Sequence, residues 1–276
     1  MKETHKIQPW YGFSEDQVFG EVMANSDFCR YVLRTVTGIT EISEIFSPEK
    51  QKEIKDPSHK TQKDVRLDVS VEDHEHNLYD LEMQVKDKKD LGRRIRYYIS
   101  KYDQRYTLNK GKTYRDMKNI TIIFFCMFDP FKQGKIRYSF HWTEDSDQTI
   151  KLSAEIDIII INAKGKPNGE SNDLLGLVDL INDRPVHLNK YFDWAQKKIK
   201  ELNDDPKWRD KIMDYETRLL EEKQEGKEEA TITGLKKLIT VLKNLSSPYD
   251  QILHQLELTY GDQFTKKELE DFIKQA

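Results

Sequence analysis

Two acidic residues, Asp68 and Glu82, are the positions in this sequence that most directly indicate chemistry. Thirteen residues separate them, and Gln84 follows two positions after Glu82, which gives the pattern D-x13-E-x-Q. Carboxylate oxygens are preferred ligands of a hard divalent cation such as Mg²⁺, which usually takes only one or two of them from a protein. The pattern suits a divalent-cation site if the fold brings the two acids together, and two acids on the solvated face of a hairpin are the alternative interpretation.

A β-hairpin is predicted to position these acids. Apolar and polar residues alternate from Asp64 to Glu72 and from Leu78 to Lys86, and a short polar tip separates the two segments. We pair the apolar faces of the two strands about a turn centred on Glu75. The facing pairs are then Leu67 with Met83, Val69 with Leu81, and Asp68 with Glu82. The same register that buries the apolar residues thus brings the two carboxylates together.

Two helices are predicted before the hairpin. Ser14 and Gln17 form a capping-box pattern that opens the first helix, and the second helix ends at Gly38. A short strand is predicted over Ile39–Phe46. The polar segment Glu49–Lys63 has no periodicity and is predicted to be a mobile loop.

Further elements follow the hairpin. A helix with one apolar stripe is predicted over Leu91–Leu108, and the apolar run Asn119–Phe128 is typical of a central strand that is covered on both faces. Two more strands are predicted over Ile136–Trp142 and Ile156–Ile161, after which the pattern becomes helical from Asn172 onward. We expect a sheet domain over residues 1–170 and a helical region over residues 171–276.

This order of elements resembles the core of PD-(D/E)XK nucleases. The segments DVRLDV (64–69), LEMQ (81–84) and RRIRYY (93–98) are similar to those of the Rpn family of recombination-promoting nucleases, which are PD-(D/E)XK transposases. The resemblance covers about residues 10–165 and extends loosely to the charged segment 215–230. It implies an α/β, restriction-endonuclease-like core with a mixed central sheet flanked by helices in the order αβββαβ, followed by a C-terminal helical appendage.

The resemblance also implies an activity and a metal. We expect a Mg²⁺-dependent DNA endonuclease that hydrolyses phosphodiester bonds and promotes recombination or transposition, with Mn²⁺ or Ca²⁺ as alternative ions. The metal ligands would be Asp68, Glu82 and the backbone carbonyl of Met83. Such a cation would neutralise charge that develops on the attacking water, the phosphoryl oxygens and the leaving oxygen.

Two further catalytic positions are implied by the resemblance. Gln84 stands where the lysine of the family name usually stands; it can orient water or a phosphoryl oxygen but cannot act as a general base. Glutamine is common at this position in Rpn-type members, and Lys86 is a candidate substitute for the lysine. Asp16 in the first helix would complete the catalytic set, with Glu21 as its competitor, although acids near a helix N-terminus are also favoured by the helix dipole.

A basic segment follows the hairpin. Residues 86–118 contain twelve Lys or Arg against four acids, a local charge of +8 in a chain whose net charge is −4. Such a stripe beside an acidic site could guide DNA through its phosphates, and a solvated helix face is the alternative interpretation. The expected DNA-binding residues are Lys86, Arg93, Arg94, Tyr98 and Lys101. Tyr98 is equally a candidate core residue.

Composition sets the remaining expectations. The 276 residues are 37% hydrophobic and 34% charged, and no apolar run approaches the roughly 18–20 residues that cross a membrane. We therefore expect a cytoplasmic protein without membrane association, in which Cys29 and Cys126 are buried and reduced. The C-terminal helices are candidates for homo-oligomerisation.

Two alternatives to an active DNA endonuclease stay open: an inactive nuclease fold that binds DNA or protein, and a nuclease directed at RNA or used in defence.

Overall fold

A computed structural model describes residues 9–54, 65–106 and 110–275 of the chain. Two helices come first, α1 (Asp16–Met23) and α2 (Ser26–Thr37). The strands and helix that follow are β1 (Glu49–Ile54), β2 (Val65–Glu72), β3 (Leu78–Gln84), α3 (Leu91–Arg105), β4 (Ile120–Cys126), β5 (Arg137–Phe140) and β6 (Ile156–Asn162). A 3₁₀ turn (Tyr114–Asp116) precedes β4, and five helices complete the chain: α4 (Asn172–Ile181), α5 (Lys190–Asp204), α6 (Pro206–Asn244), α7 (Tyr249–Tyr260) and α8 (Lys266–Gln275).

Within the described residues, six strands form one mixed sheet in the order β1-β2-β3-β4-β6-β5. The hairpin partners β2 and β3 are antiparallel, as are β1 with β2 and β5 with β6. The strand β4 runs parallel to both β3 and β6. Helices flank this sheet, so the expected α/β architecture with a restriction-endonuclease-like order is confirmed.

The predicted hairpin register is confirmed where the two strands pair. Val69 lies opposite Leu81, and the ladder continues to Glu72 opposite Leu78. The side chain of Asp73 organises the tip, since it accepts hydrogen bonds from the backbone of Glu75 and from the backbone and side chain of Asn77, among other donors. An Asp that bonds the backbone two residues on is a common turn-forming device.

Different helices pack on the two faces of the sheet. Most odd-numbered residues of β2, β3 and β4 are apolar, and on one face of the sheet Phe19 of α1 packs against Phe125 of β4 with 5.7 Å between ring centroids. On the even-numbered face, Tyr98 and Tyr102 of α3 belong to one buried cluster with Phe124 of β4. The polar residues of the hairpin thus lie between the sheet and α3. Every residue of β3 is buried.

The region between α2 and the hairpin differs from the sequence prediction. No strand forms over Ile39–Phe46 beyond a single bridge from Ile45 to Asp73, and the strand β1 lies instead in the segment for which the sequence predicts a loop. This strand is polar and lies at the sheet edge, where main-chain bonds to β2 hold it without an apolar pattern. The rest of the predicted loop, residues 55–63, lies outside the described residues, as do Asp64 and Leu108 at two predicted element ends.

Helix boundaries are close to those expected. The helix α1 begins one residue later than its predicted capping box implies, because its N-cap is Glu15 and no side chain caps it. The helix α2 ends as predicted at Gly38, whose φ of 77° places it in the left-handed conformation that glycine adopts easily. Cys29 and Cys126 are both buried and free, as expected. No helix in the described part of the chain is long and apolar enough to span a membrane.

The chain divides into two compact units, residues 1–206 and 207–276. The helices α4 and α5 belong to the first unit, where they pack on α2 and α1. The division after residue 170 that the sequence indicates stays a prediction about the extent of the nuclease-like domain. The second unit has a core of its own, formed by α6, α7 and α8 around Leu235, Leu256 and Leu269.

Candidate active site

The carboxylates of Asp68 and Glu82 are held side by side one residue beyond the last pair of the hairpin, Val69 opposite Leu81. The backbone N–H of Asp68 donates to Glu82 Oε1 at 2.9 Å, and the backbone N–H of Met83 donates to Asp68 Oδ2 at 2.8 Å. Each acid is therefore fixed by the backbone of the partner strand. The register that pairs Val69 with Leu81 places even-numbered residues of both strands on one face, and the two acids share that face.

Arg94 of α3 lies over these acids. Its Nη2 donates to Glu82 Oε2 at 2.9 Å, and its Nη1 donates to the side-chain oxygen of Gln84. The same guanidinium donates to the hydroxyl of Tyr98 at 2.7 Å and lies 5.5 Å from the ring centroid of Phe124. The Arg-x₃-Tyr spacing places both side chains on one helix face, directed at the sheet.

Gln84 is oriented by two neighbours. Its amide oxygen accepts from Arg94, and its amide nitrogen donates to the backbone carbonyl of Lys86 at 2.7 Å. The side chain is 6% exposed and lies beside Glu82 on the inner face of β3. A glutamine held in this way can present hydrogen bonds but no charge, so the positive charge at this point of the site is that of Arg94.

A third acid, Asp80, belongs to the same face and is absent from the residues predicted from the sequence. It pairs with Ser70 in the sheet and is fully buried, and within the described part of the chain neither carboxylate oxygen has a hydrogen-bond partner. The signal that could have found it is the alternation Asp80-x-Glu82-x-Gln84, since every second residue of a strand shares one face. Alternation of this kind is typical of a solvated face, whereas here α3 covers it.

The acids are electrostatically strained. Burial raises the pKa of Asp68 to about 6, with the hydrogen bond from Met83 lowering it and the charge of Asp16 raising it. Burial raises the pKa of Glu82 well above its ordinary value, and Asp80 and Asp68 raise it further, while Arg94 opposes them. The pKa of Asp80 is raised in the same way, by burial and by the charge of Asp68. Three neighbouring acids thus face one guanidinium, which leaves a deficit of positive charge.

This donor set suits a hard divalent cation. Asp68 and Glu82 offer oxygen ligands, and the buried carboxyl group of Asp80, whose oxygens have no hydrogen-bond partner within the described part of the chain, lies on the same face of the sheet. Among the described residues, no group of three or more His, Cys, Asp or Glu side chains is arranged as a metal-binding cluster. A cation would therefore be held by the two hairpin acids with water, and the carbonyl of Met83 as a further ligand stays a prediction.

Asp16 and Glu21, the two candidates for the additional acid, have different surroundings. Asp16 is exposed, but the protein around it desolvates the carboxyl group and raises its pKa, which Arg66, Arg94 and Lys88 oppose. Its charge in turn acts on Asp68, so that the two acids are neighbours. Glu21, in contrast, is paired with Lys50 of β1 at 2.5 Å.

The expected DNA-binding residues separate into two groups. Lys86 and Arg93 are exposed, and Arg94 and Tyr98 are largely buried beside the acids. Lys101 is expected on the DNA-binding surface, but it is only 1% exposed. Its ammonium group lies 5.5 Å from the ring centroid of Tyr97. Its charge predicts a place on the solvated face of an amphipathic helix, whereas Lys101 lies on the face that packs inward.

Comparison with known proteins gives a single family assignment. A family model described as PD-(D/E)XK nuclease family transposase matches residues 17–175, which is more than half of the chain. No curated protein and no solved structure matches the chain. The matched region begins in α1 and ends in α4, so it contains the whole sheet together with Asp68, Glu82 and Arg94.

Proposed function

The chain belongs to the PD-(D/E)XK nuclease family transposases, and from this membership we propose that it is a Mg²⁺-dependent endonuclease that hydrolyses phosphodiester bonds of DNA in recombination or transposition. The observation that carries the proposal is the mutual fixing of Asp68 and Glu82 by backbone N–H groups of the opposite strand. Two carboxylates held so close repel one another unless a cation lies between or beside them.

Each side chain of the site has a proposed role. Asp68 and Glu82 would hold Mg²⁺, with Mn²⁺ or Ca²⁺ as alternatives, and the bound ion would stabilise charge on the phosphoryl and leaving oxygens. Gln84 would orient the attacking water through its amide group. Asp16, a neighbour of Asp68, is the proposed additional catalytic acid.

Arg94 would supply the charge that a lysine provides elsewhere in the superfamily. Its guanidinium already contacts Glu82 and Gln84 and is anchored by Tyr98. A positive group that is held in place before the reaction begins stabilises developing phosphoryl charge without reorganisation. Lys86 and Arg93 would bind flanking phosphates, which fixes the register of the DNA but does not read its sequence.

A plasmid-nicking assay tests the proposed function. Wild-type protein is incubated with supercoiled DNA and Mg²⁺, Mn²⁺ or Ca²⁺, and compared with Asp68→Asn and Glu82→Gln, which keep the size of each side chain. We expect nicking by the wild type and only the background of the EDTA reaction from either variant. Glu75→Gln, at the exposed hairpin tip, is the matched control. Full activity of Asp68→Asn or Glu82→Gln would contradict the proposed metal site.

The alternative is a binding module without turnover. It is favoured by the absence of a lysine at Gln84 and by the guanidinium that already contacts Glu82. Binding of DNA without cleavage in any of the three metals would support this alternative. Replacement of the plasmid by a single-stranded RNA in the same assay decides between DNA and RNA.

We also propose that the C-terminal helices mediate homo-oligomerisation. The helix α6 exposes Leu219 and Leu220, which are 44% and 66% exposed, in the middle of a long charged stretch. Light scattering of the full chain tests this proposal. A Leu219→Glu/Leu220→Glu variant should have a lower mass than the wild type, and a monomeric wild type would contradict it.

A further inference from the structure

A pocket of about 430 Å³ opens beside the first turn of α3, and its lining does not include Asp68, Asp80 or Glu82. Its lining is mostly apolar and combines the buried side chains of Ile95 and Ile160 with the rings of Phe131 and Phe140. Both rings are partly exposed, at 39% and 40%. The volume lies in the range of roughly 300–1,000 Å³ that is typical of small-molecule sites.

The aromatic wall of the pocket is preorganised by contacts within the protein. Asp129 accepts hydrogen bonds from the backbone of Phe131, Lys132 and Gly134. It also accepts from the hydroxyl of Tyr138 at 2.9 Å, which joins the loop to β5. The Phe131 ring packs against Tyr138 and Phe140 with centroid separations of 4.8 and 5.2 Å. A wall fixed in this way loses little conformational entropy when a ligand binds.

Basic residues outnumber acidic ones in the chain segments that form the mouth of the pocket. Lys89 lines it, and Lys88, Arg93 and Lys132 are exposed close by in the chain segments that form it. Asp87 also lines the pocket and forms an ion pair with Lys89, so the excess positive charge is that of Lys88, Arg93 and Lys132. An apolar, aromatic interior with a cationic rim suits a ligand with a flat apolar part and an anionic part. A nucleotide has both, whereas an apolar peptide would not need the rim.

The pocket adjoins the candidate active site. Ile95 follows Arg94 directly on α3, and Lys88 is close enough to Asp16 to oppose the burial-driven rise of its pKa. Burial raises the pKa of Cys126 at the end of β4, where Asp87 raises it further and Arg94 opposes it. A pocket residue and an active-site residue thus act on the same sulfur atom.

We propose that this pocket binds an unpaired nucleobase of the DNA strand whose backbone lies at the carboxylates. The inference rests on the proposed function and names its substrate class: DNA with a base that is free to leave the stack, as in a gap, a bubble or a single-stranded tail. A base inside a duplex cannot reach a protein pocket unless it is extruded. Stacking on Phe131 and Phe140 is tolerant of sequence, because every base has a π-face.

The substitution Gly92→Leu offers a specific test. Gly92 lines the pocket on α3, and a Cβ atom placed there meets no atom within 4 Å. A leucine would therefore meet no clash at its Cβ and would add an apolar side chain at the pocket wall, and it favours the helix more than glycine does. Gly226→Leu on α6, where a Cβ is equally free, is the matched control. Phe131→Leu is a second variant, since it removes a stacking ring but retains an apolar side chain.

The probe is a DNA duplex that carries 2-aminopurine either unpaired in a one-nucleotide gap or fully paired. Binding is followed by fluorescence in EDTA, so that no cleavage is required. We expect Gly92→Leu and Phe131→Leu to weaken binding of the gapped duplex about tenfold, as expected when one base no longer stacks. Binding of the paired duplex and of both probes by Gly226→Leu should be unchanged.

The outcomes separate this inference from the proposed function. Equal affinity of wild type, Gly92→Leu and Phe131→Leu for the gapped probe would overturn the proposal that the pocket binds a base. An equal loss of affinity for the gapped and paired probes would overturn it too. Either result leaves plasmid nicking by the wild type intact. Conversely, if the wild type binds the gapped probe more tightly than the paired probe but nicks no DNA, base binding by the pocket is supported and the proposed catalytic function is overturned.

Discussion

Arg94 Nη2 lies 2.9 Å from Glu82 Oε2, so the helix that follows the hairpin contributes a cation to the acid pair. The carboxylate is fully buried, whereas the side chain of Arg94 is 26% exposed. The contact joins the two parts of the proposed chemistry, metal ligation on the hairpin and charge stabilisation from α3. It also means that the stability of the protein should depend on whether Arg94 or a metal ion compensates the charge of Glu82.

Replacement of Arg94 by methionine should therefore destabilise the metal-free protein and increase its response to Mg²⁺. Loss of one partner of a buried pair costs up to about 3–5 kcal/mol. The cost should be smaller at pH 5 than at pH 8, because Glu82, whose pKa is raised, can take up a proton. Calorimetry in EDTA and in Mg²⁺ measures both effects, with Arg93→Met as the exposed control. An equal Mg²⁺-induced rise in Tm for the wild type and Arg94→Met would contradict this relationship.

The acid cluster should make the metal-free protein less stable as the pH rises. The pKa of Asp68 is raised to about 6, so between about pH 4 and pH 6 the folded state binds more protons than the unfolded chain. The free energy of unfolding then falls with increasing pH over this range, and the fall that Asp68 causes is complete about one pH unit above its raised pKa. Asp80 and Glu82 extend the fall to higher pH, because their pKa values are raised further.

Asp68→Asn tests this pH dependence, because asparagine can still accept the hydrogen bond from Met83. We expect the variant to be more stable than the wild type at pH 8 by on the order of 1–2 kcal/mol, and nearly equal to it at pH 4. Denaturant unfolding in EDTA at both pH values provides the measurement, with Glu75→Gln as the control. A destabilised Asp68→Asn at pH 8 would show that the carboxylate is better satisfied than its burial indicates.

The hairpin is predictable from the sequence because its information is local. Strict alternation and a polar tip set the register up to Val69 opposite Leu81, and Asp68 and Glu82 contact one another one residue farther along. The burial of that face is not predictable, since the residues that cover it, Tyr98 and Tyr102, come from a helix whose packing direction is a tertiary property. Asp80 escapes prediction for this reason: a buried polar residue on a strand has the same local pattern as a solvated one.

Two other differences also arise from tertiary context. The strand β1 has no apolar alternation, because an edge strand is held by main-chain bonds to its neighbour. Charge alone assigns Lys101 to the solvated basic face, although its long side chain is buried near Tyr97 of the same helix. Aliphatic stems of lysines can cover apolar surface in this way, and the residue type does not show it.

The buried and exposed basic residues should differ in the salt dependence of DNA binding. Removal of one phosphate-binding side chain reduces the slope of log K against log salt by about 1. We expect this change for Arg93→Ala and for Lys86→Ala, whose side chains are exposed. Lys101→Met should leave the slope unchanged, since the buried ammonium group does not reach DNA. Titrations between 50 and 200 mM salt give the slopes. A reduced slope for Lys101→Met would show that Lys101 contacts DNA and would contradict this prediction.

Restoring the lysine of the superfamily pattern at Gln84 should not raise activity. The Gln84 side chain is buried and accepts a hydrogen bond from Arg94, so Gln84→Lys places two cations in contact. Their repulsion should lower both the Tm and the rate of plasmid nicking. The double variant Gln84→Lys/Arg94→Gln exchanges the charged and neutral partners and should recover most of both losses. Recovery of Tm without recovery of nicking would assign Arg94 to stability alone, whereas a gain of activity in Gln84→Lys would contradict the proposal that Arg94 supplies the missing charge.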